Sequence, residues 1–123
     1  MIKFIRSLLN RNPNSLPIET NLLIEALDKG KFQRWLESQN PFDSAGFPHV
    51  RSQCPIAKFL RSQGFHDVGV SSSSITASTE IKTYHLNSKT LPAWVTSFVL
   101  SIDGLPSDLK IPVFKALEVL QKL

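Results

Sequence analysis

Cysteine occurs once in the 123 residues, at Cys54. A single thiol excludes an internal disulfide and makes a reducing, cytoplasmic setting the expectation. Long apolar runs are missing too, since none approaches the roughly 18 residues that a membrane-crossing helix requires. The opening MIKFIRSLLN is apolar, but Lys3 and Arg6 interrupt it, and it is too short for a signal peptide's hydrophobic region and cleavage site. The five glycines stand alone, so no phosphate-cradling glycine loop exists, and neither GFPHV nor DVGVSSSS fits a nucleotide fingerprint. His49, His66 and His85, with Cys54, form no i, i+4 pair and no C-x-x-C, which argues against a metal site. Ser71–Ser74 lack the flanking glycines of a nucleophile elbow. Carboxylates are scattered singly, with Asp43 alone in a long loop. The reading therefore leans away from an enzyme, and neither cofactor nor metal is expected.

What is present is an uneven charge. Residues 1–64 hold nine Lys/Arg against five Asp/Glu, whereas 65–123 hold five of each, so the formal +4 lies wholly in the first half. From Ser44 to His66 there are three cations, Arg51, Lys58 and Arg61, and no acid. Such a patch attracts phosphate or an acidic partner. The bland alternative is an ordinary basic surface, because no dense Lys/Arg run marks a nucleic-acid arm.

The chain is long enough to bury a core without metal or disulfide, and it has no internal repeats. After the RNPNSLP break, Leu23, Ala26 and Leu27 fall at helical spacing, with Gly30 expected to stop that helix. KFQRWLESQNP follows at once, with Phe32, Trp35 and Leu36 on one face and Pro41 as terminator. The stretch NPFDSAGFPHVRSQ reads as irregular chain, near the length limit for a structureless loop. Beyond Phe65, Val68/Val70, Ile75/Ala77 and Tyr84/Leu86 alternate, which predicts two or three antiparallel strands with the serines as a turn or a polar edge. The last third is helical again. Trp94, Val95, Phe98, Val99 and Ile102 make one stripe between Pro92 and Gly104, and Val113, Ala116, Leu117, Leu120 and Leu123 make another after Pro112. Trp94 and Phe98 are assigned to packing.

CPIAKFLRSQGF, Cys54 to Phe65, comes closest to a chemical signature. Cys54 suits the N-cap, Pro55 the first helical position and Gly64 a left-handed exit, with Phe65 folding back on Leu60 as in a Schellman ending. Ile56, Phe59 and Leu60 face inward, and Lys58 and Arg61 share the outer face. A thiol at a helix N-terminus feels free N–H groups that lower its pKa, and His49 and Arg51 stand just upstream. Thiol catalysis would draw on Cys54 with His49 or His66 as base, but spacing pairs neither with the sulfur. A redox switch would want a second thiol, which the chain lacks. Packing is the expected role, because buried free cysteine is common in cores.

Two of these segments, CPIAKFLRSQG and LPAWVTSFVLSIDGLP, with GKFQRWLES before them, are similar to a pattern in small bacterial and phage-encoded proteins. In those a Cys-Pro-aliphatic-Ala-basic-aromatic-Leu helix precedes a short sheet and a Leu-Pro-x-Trp helix ending near Asp. The resemblance spans about residues 20–120. It implies one small α+β domain and assigns no catalytic residue.

The fold expected over 1–123 is a single α+β domain: an N-terminal helical pair, a short central helix, a small antiparallel sheet and two C-terminal helices. Residues 1–12 are a candidate arm, with Ile2, Phe4, Ile5, Leu8 and Leu9 suited to the core or to a homodimer contact over 2–9. Ten residues bury little lipid-facing area, so no membrane partner is expected. The leading functional expectation is a non-enzymatic binding or regulatory module with a protein partner, binding through Arg51, Lys58 and Arg61. The alternatives are nucleic-acid binding through the same face, with Phe47 and Phe65 as the aromatics nearby, and thiol chemistry at Cys54.

Overall fold

Side-chain caps set the first two helices of the computed structural model, which describes residues 21–106 and 109–123. Asn21 accepts the Ile24 N–H at 3.0 Å to start α1 (Leu22–Ala26), and Asp28 accepts the Lys31 N–H at 2.9 Å to start α2 (Lys29–Glu37). Each cap satisfies an N–H that the helix itself leaves free. The expected stop at Gly30 is thus corrected. α1 already ends at Leu27, and Gly30 lies in the first turn of α2 because the Asp28 carboxylate restarts the helix there. The candidate arm over 1–12, with its dimer contact over 2–9, lies outside the described residues.

A second correction concerns the stretch after Pro41. Part of it is a strand, β1 (Ser44–Gly46), paired antiparallel with β5 (Ile111–Pro112) across a register shift. The sequence hides it because SAG has no β-branched alternation. The N–H groups of Val113 and Phe114 donate to the carbonyls of Asp43 (2.8 Å) and Pro41 (3.0 Å) and extend the pairing.

The short central helix α3 (Pro55–Ser62) ends as the glycine predicts. Gly64 takes φ +101°, its N–H donates to the Arg61 carbonyl (3.1 Å), and the Phe65 N–H donates to the Leu60 carbonyl (3.2 Å). Those two bonds are the Schellman pair. Three antiparallel strands follow in the order β2 (His66–Val70), β3 (Ile75–Ser78), β4 (Thr83–Leu86). Val68, Val70, Ile75, Ala77, Tyr84 and Leu86 are buried, as the alternation requires. The serines form the β2–β3 turn, where the Ser71 hydroxyl accepts the Ser73 and Ser74 N–H groups (3.3 and 3.1 Å).

Helices α4 (Ala93–Asp103) and α5 (Val113–Gln121) complete this small α+β fold, and α2 and α4 both pack on α5. The core centres on Phe32, fully buried and stacked between Trp35 (6.0 Å between centroids) and Trp94 (5.4 Å). Phe59 and Phe98 meet the same ring edge-on at 5.3 and 5.1 Å. The Trp94 indole N–H donates to the Leu27 carbonyl at 3.1 Å, tying α4 to the end of α1. Burying three phenylalanines this completely contributes about 1.5–3 kcal/mol each. Among the described residues no helix is long and apolar enough to cross a membrane.

Candidate functional site

The segment between Pro41 and α3 folds back along the helix it introduces. Gly46 makes this possible: at φ +146°, a Cβ there would stand 2.5 Å from the Gln53 carbonyl oxygen and 2.8 Å from the Pro55 nitrogen. β1 therefore runs directly against the backbone that starts α3. The Phe47 N–H closes the loop on the Gln53 carbonyl at 2.8 Å. On its other side the loop covers the outer edge of β2, since the Val70 N–H donates to the Arg51 carbonyl at 2.9 Å. An edge strand left open would be free to pair with another chain.

At the centre of the loop His49 sits at φ +64°, uncommon for a residue with a side chain. Asp103, the last residue of α4, holds it there. Its Oδ1 accepts the His49 N–H at 3.0 Å and lies 3.8 Å from His49 Nδ1. His66 is exposed at the start of β2, with Nδ1 2.9 Å from the Asp67 carboxylate. The structure thus gives each candidate histidine a carboxylate and joins neither to Cys54 by a hydrogen bond among the described residues.

Cys54 occupies the N-cap of α3 with no side-chain hydrogen bond closing the cap. The sulfur is buried, and burial pushes its pKa above the ordinary thiol value. The backbone N–H groups of Ala57 and Ile56 pull the other way, and so, more weakly, does Arg61; Asp103 adds to the rise. The helix field read from the sequence is real, but desolvation of the thiolate outweighs it. The buried position agrees with the packing role expected for Cys54. A groove of about 340 Å³ lies between the end of α4 and α5, another of about 200 Å³ against Leu105, Pro106 and the chain entering β5, and neither is lined by Cys54, His49 or His66.

The three cations have a definite local job. Lys58 Nζ reaches from α3 to the Ser44 carbonyl (3.4 Å), Arg61 donates to the Ser52 carbonyl, and Arg51 reaches from the loop to the Ser74 hydroxyl (3.4 Å). The Arg51 guanidinium also lies over Gly69. All three thereby hold one segment, Ser44–Gln53, against α3 and the β2–β3 turn. None makes an ion pair with a carboxylate among the described residues. Their donors are partly engaged on neutral oxygens, and the Asp103 carboxylate holds the same segment at His49.

Sequence reasoning missed Asp103 and Phe42. Asp103 was visible only as the acid before Gly104 in the LSIDG ending of α4, with nothing to connect it to His49. Phe42, 83% exposed, meets Phe114 edge-on with ring centroids 5.9 Å apart. Their adjacency depends on the β1–β5 pairing, and the sequence offers no sign of it. Phe65, by contrast, leaves the surface and packs edge-on against Tyr84. In comparison with known proteins, the chain matches no family model, no curated protein and no solved structure.

Proposed function

We propose that the protein is a non-enzymatic binding or regulatory module that works in the cytoplasm and takes an anionic partner on the face built from the Ser44–Gln53 segment and the outer side of α3. One observation carries this reading: Arg51, Lys58 and Arg61 converge on that segment with no ion pair of their own among the described residues, in a stretch with no acid from Ser44 to His66. Packing alone does not require three full charges there. A neutral donor would bond the same carbonyls without the desolvation an ion resists. An acidic segment of a partner protein meets the same charges, and its approach would be steered by the basic first half of the chain.

Titration calorimetry with poly-L-glutamate and with inorganic polyphosphate at low salt tests the reading. The expected result is binding that Arg51→Gln with Lys58→Gln abolishes, while the same charge removed at Lys89 and Lys122 leaves it in place. Equal loss from both pairs would show that only net charge matters, and absence of any polyanion binding at about 50 mM salt, where such contacts are strongest, would overturn the proposal outright.

A further inference from the structure

We infer that the anionic partner of this face is single-stranded nucleic acid, its phosphates on Arg51, Lys58 and Arg61 and its bases stacked on Phe42, Phe47 and Phe114. The inference rests on the anionic-partner reading above and adds the aromatic component. Phe42 is 83% exposed, Phe114 46% and Phe47 41%. Phe47 lies within the Ser44–Gln53 segment that the cations hold, Phe42 two residues before it, and Phe114 meets Phe42 edge-on, and large apolar rings left in water beside such cations mark a contact surface.

Their order along the chain interleaves them with the charges. Phe42 precedes Ser44, whose carbonyl receives Lys58 Nζ. Phe47 follows β1 and bonds to Gln53, next to Ser52, whose carbonyl receives Arg61. Arg51 closes the series against Ser74. From Phe42 to Phe47 the backbone spans at most about 17 Å, at roughly 3.3 Å per residue. Sequence-tolerant single-strand binding uses this combination, cations tracking the backbone and aromatic rings taking base faces.

Duplex fits less well, because its base faces are covered within the stack and it would engage the cations alone. An acidic peptide would also satisfy the cations, but aromatic anchors at protein interfaces work by filling pockets. These rings stand exposed, and neither groove of the α4–α5 region includes them.

The test is fluorescence anisotropy with a labelled oligothymidylate of about 12 nucleotides, within the site sizes known for single-strand binders. A duplex of equal length and poly-L-glutamate serve as competitors. Three phosphate contacts predict a log–log salt slope of about −2, or roughly 20-fold weaker binding between 50 and 200 mM salt. Phe42→Ala and Phe47→Ala are each expected to weaken oligothymidylate binding about fivefold or more while leaving poly-L-glutamate binding unchanged. Thermal melts of both variants check that they fold, and two separate positions guard against one that does not. Equal affinity for strand, duplex and polyglutamate, with no effect of either phenylalanine, would overturn the inference and leave the anionic-partner reading intact. Polyglutamate binding without oligothymidylate binding would overturn it in favour of an acidic protein. Failure of every polyanion would overturn both.

Discussion

Gly46→Ala is the sharpest test of how the loop is seated on α3. An alanine Cβ would stand 2.5 Å from the Gln53 oxygen, 2.8 Å from the Pro55 nitrogen and 2.9 Å from the Cys54 carbonyl carbon, at φ +146°. All three neighbours are backbone, so no side chain can swing aside. Two penalties add. A conformation that only glycine adopts readily costs about 1–3 kcal/mol, and overpacking into fixed atoms costs about 1–3 kcal/mol more. The expected loss is thus roughly 2–6 kcal/mol, a large part of the 5–15 kcal/mol typical of a domain. With a urea m-value of about 1.5 kcal/mol/M the midpoint would fall by roughly 1–4 M at unchanged m. Gly64→Ala is the matched control. Its φ is also positive, at +101°, but no atom lies within 4 Å of the added Cβ, so only the conformational cost of about 1–2 kcal/mol remains. Equal losses for the two variants would refute the close approach of β1 to the start of α3, and with it the positioning of the whole face.

Three further outcomes follow from the same neighbourhood. The native Cys54 thiol should alkylate with a pH midpoint above that of the unfolded chain, and its contribution to stability should be complete below about pH 8.5 and fall as pH rises through the folded value; a midpoint at or below the unfolded one would contradict the dominance of burial. Asp103→Ala removes the acceptor of the His49 N–H and should cost about 1 kcal/mol while speeding amide exchange at Phe47, whereas Asp103→Asn keeps an acceptor and should leave that exchange unchanged. Equal exchange rates in the two variants would remove Asp103 as the clamp. Ser44 Oγ is buried without a hydrogen-bond partner, so Ser44→Ala should be neutral or stabilising by up to about 1 kcal/mol in a urea melt, and a clear loss would mean the hydroxyl is satisfied in solution.

Local patterns carried most of the fold. The Schellman exit at Gly64 and Phe65, the stripe Val95, Phe98, Val99 and Ile102, and the alternation through β2, β3 and β4 all follow from spacings of a few residues. What escaped depends on distant partners. β1 is a strand because β5, more than sixty residues away, lies beside it. Gly30 reads as a stop until Asp28 is recognised as a cap that restarts the helix two residues earlier.

The candidate site shows the same division more sharply. The absence of acid from Ser44 to His66 was legible, because a missing acid is a property of the chain itself. What Arg51, Lys58 and Arg61 touch was not, since each reaches a carbonyl or hydroxyl between 9 and 23 residues away. Cys54 marks the boundary. Its N-cap position is local and was legible, whereas its pKa is decided by solvent exclusion, a property of everything packed over it. The same packing that buries the thiol holds the Ser44–Gln53 segment in place, because Gly46 brings β1 against the Cys54 and Pro55 backbone. The Cys-Pro start of α3 therefore serves the segment beside it as a mount: it is the backbone against which β1 lies while Lys58 and Arg61 hold the loop through the Ser44 and Ser52 carbonyls.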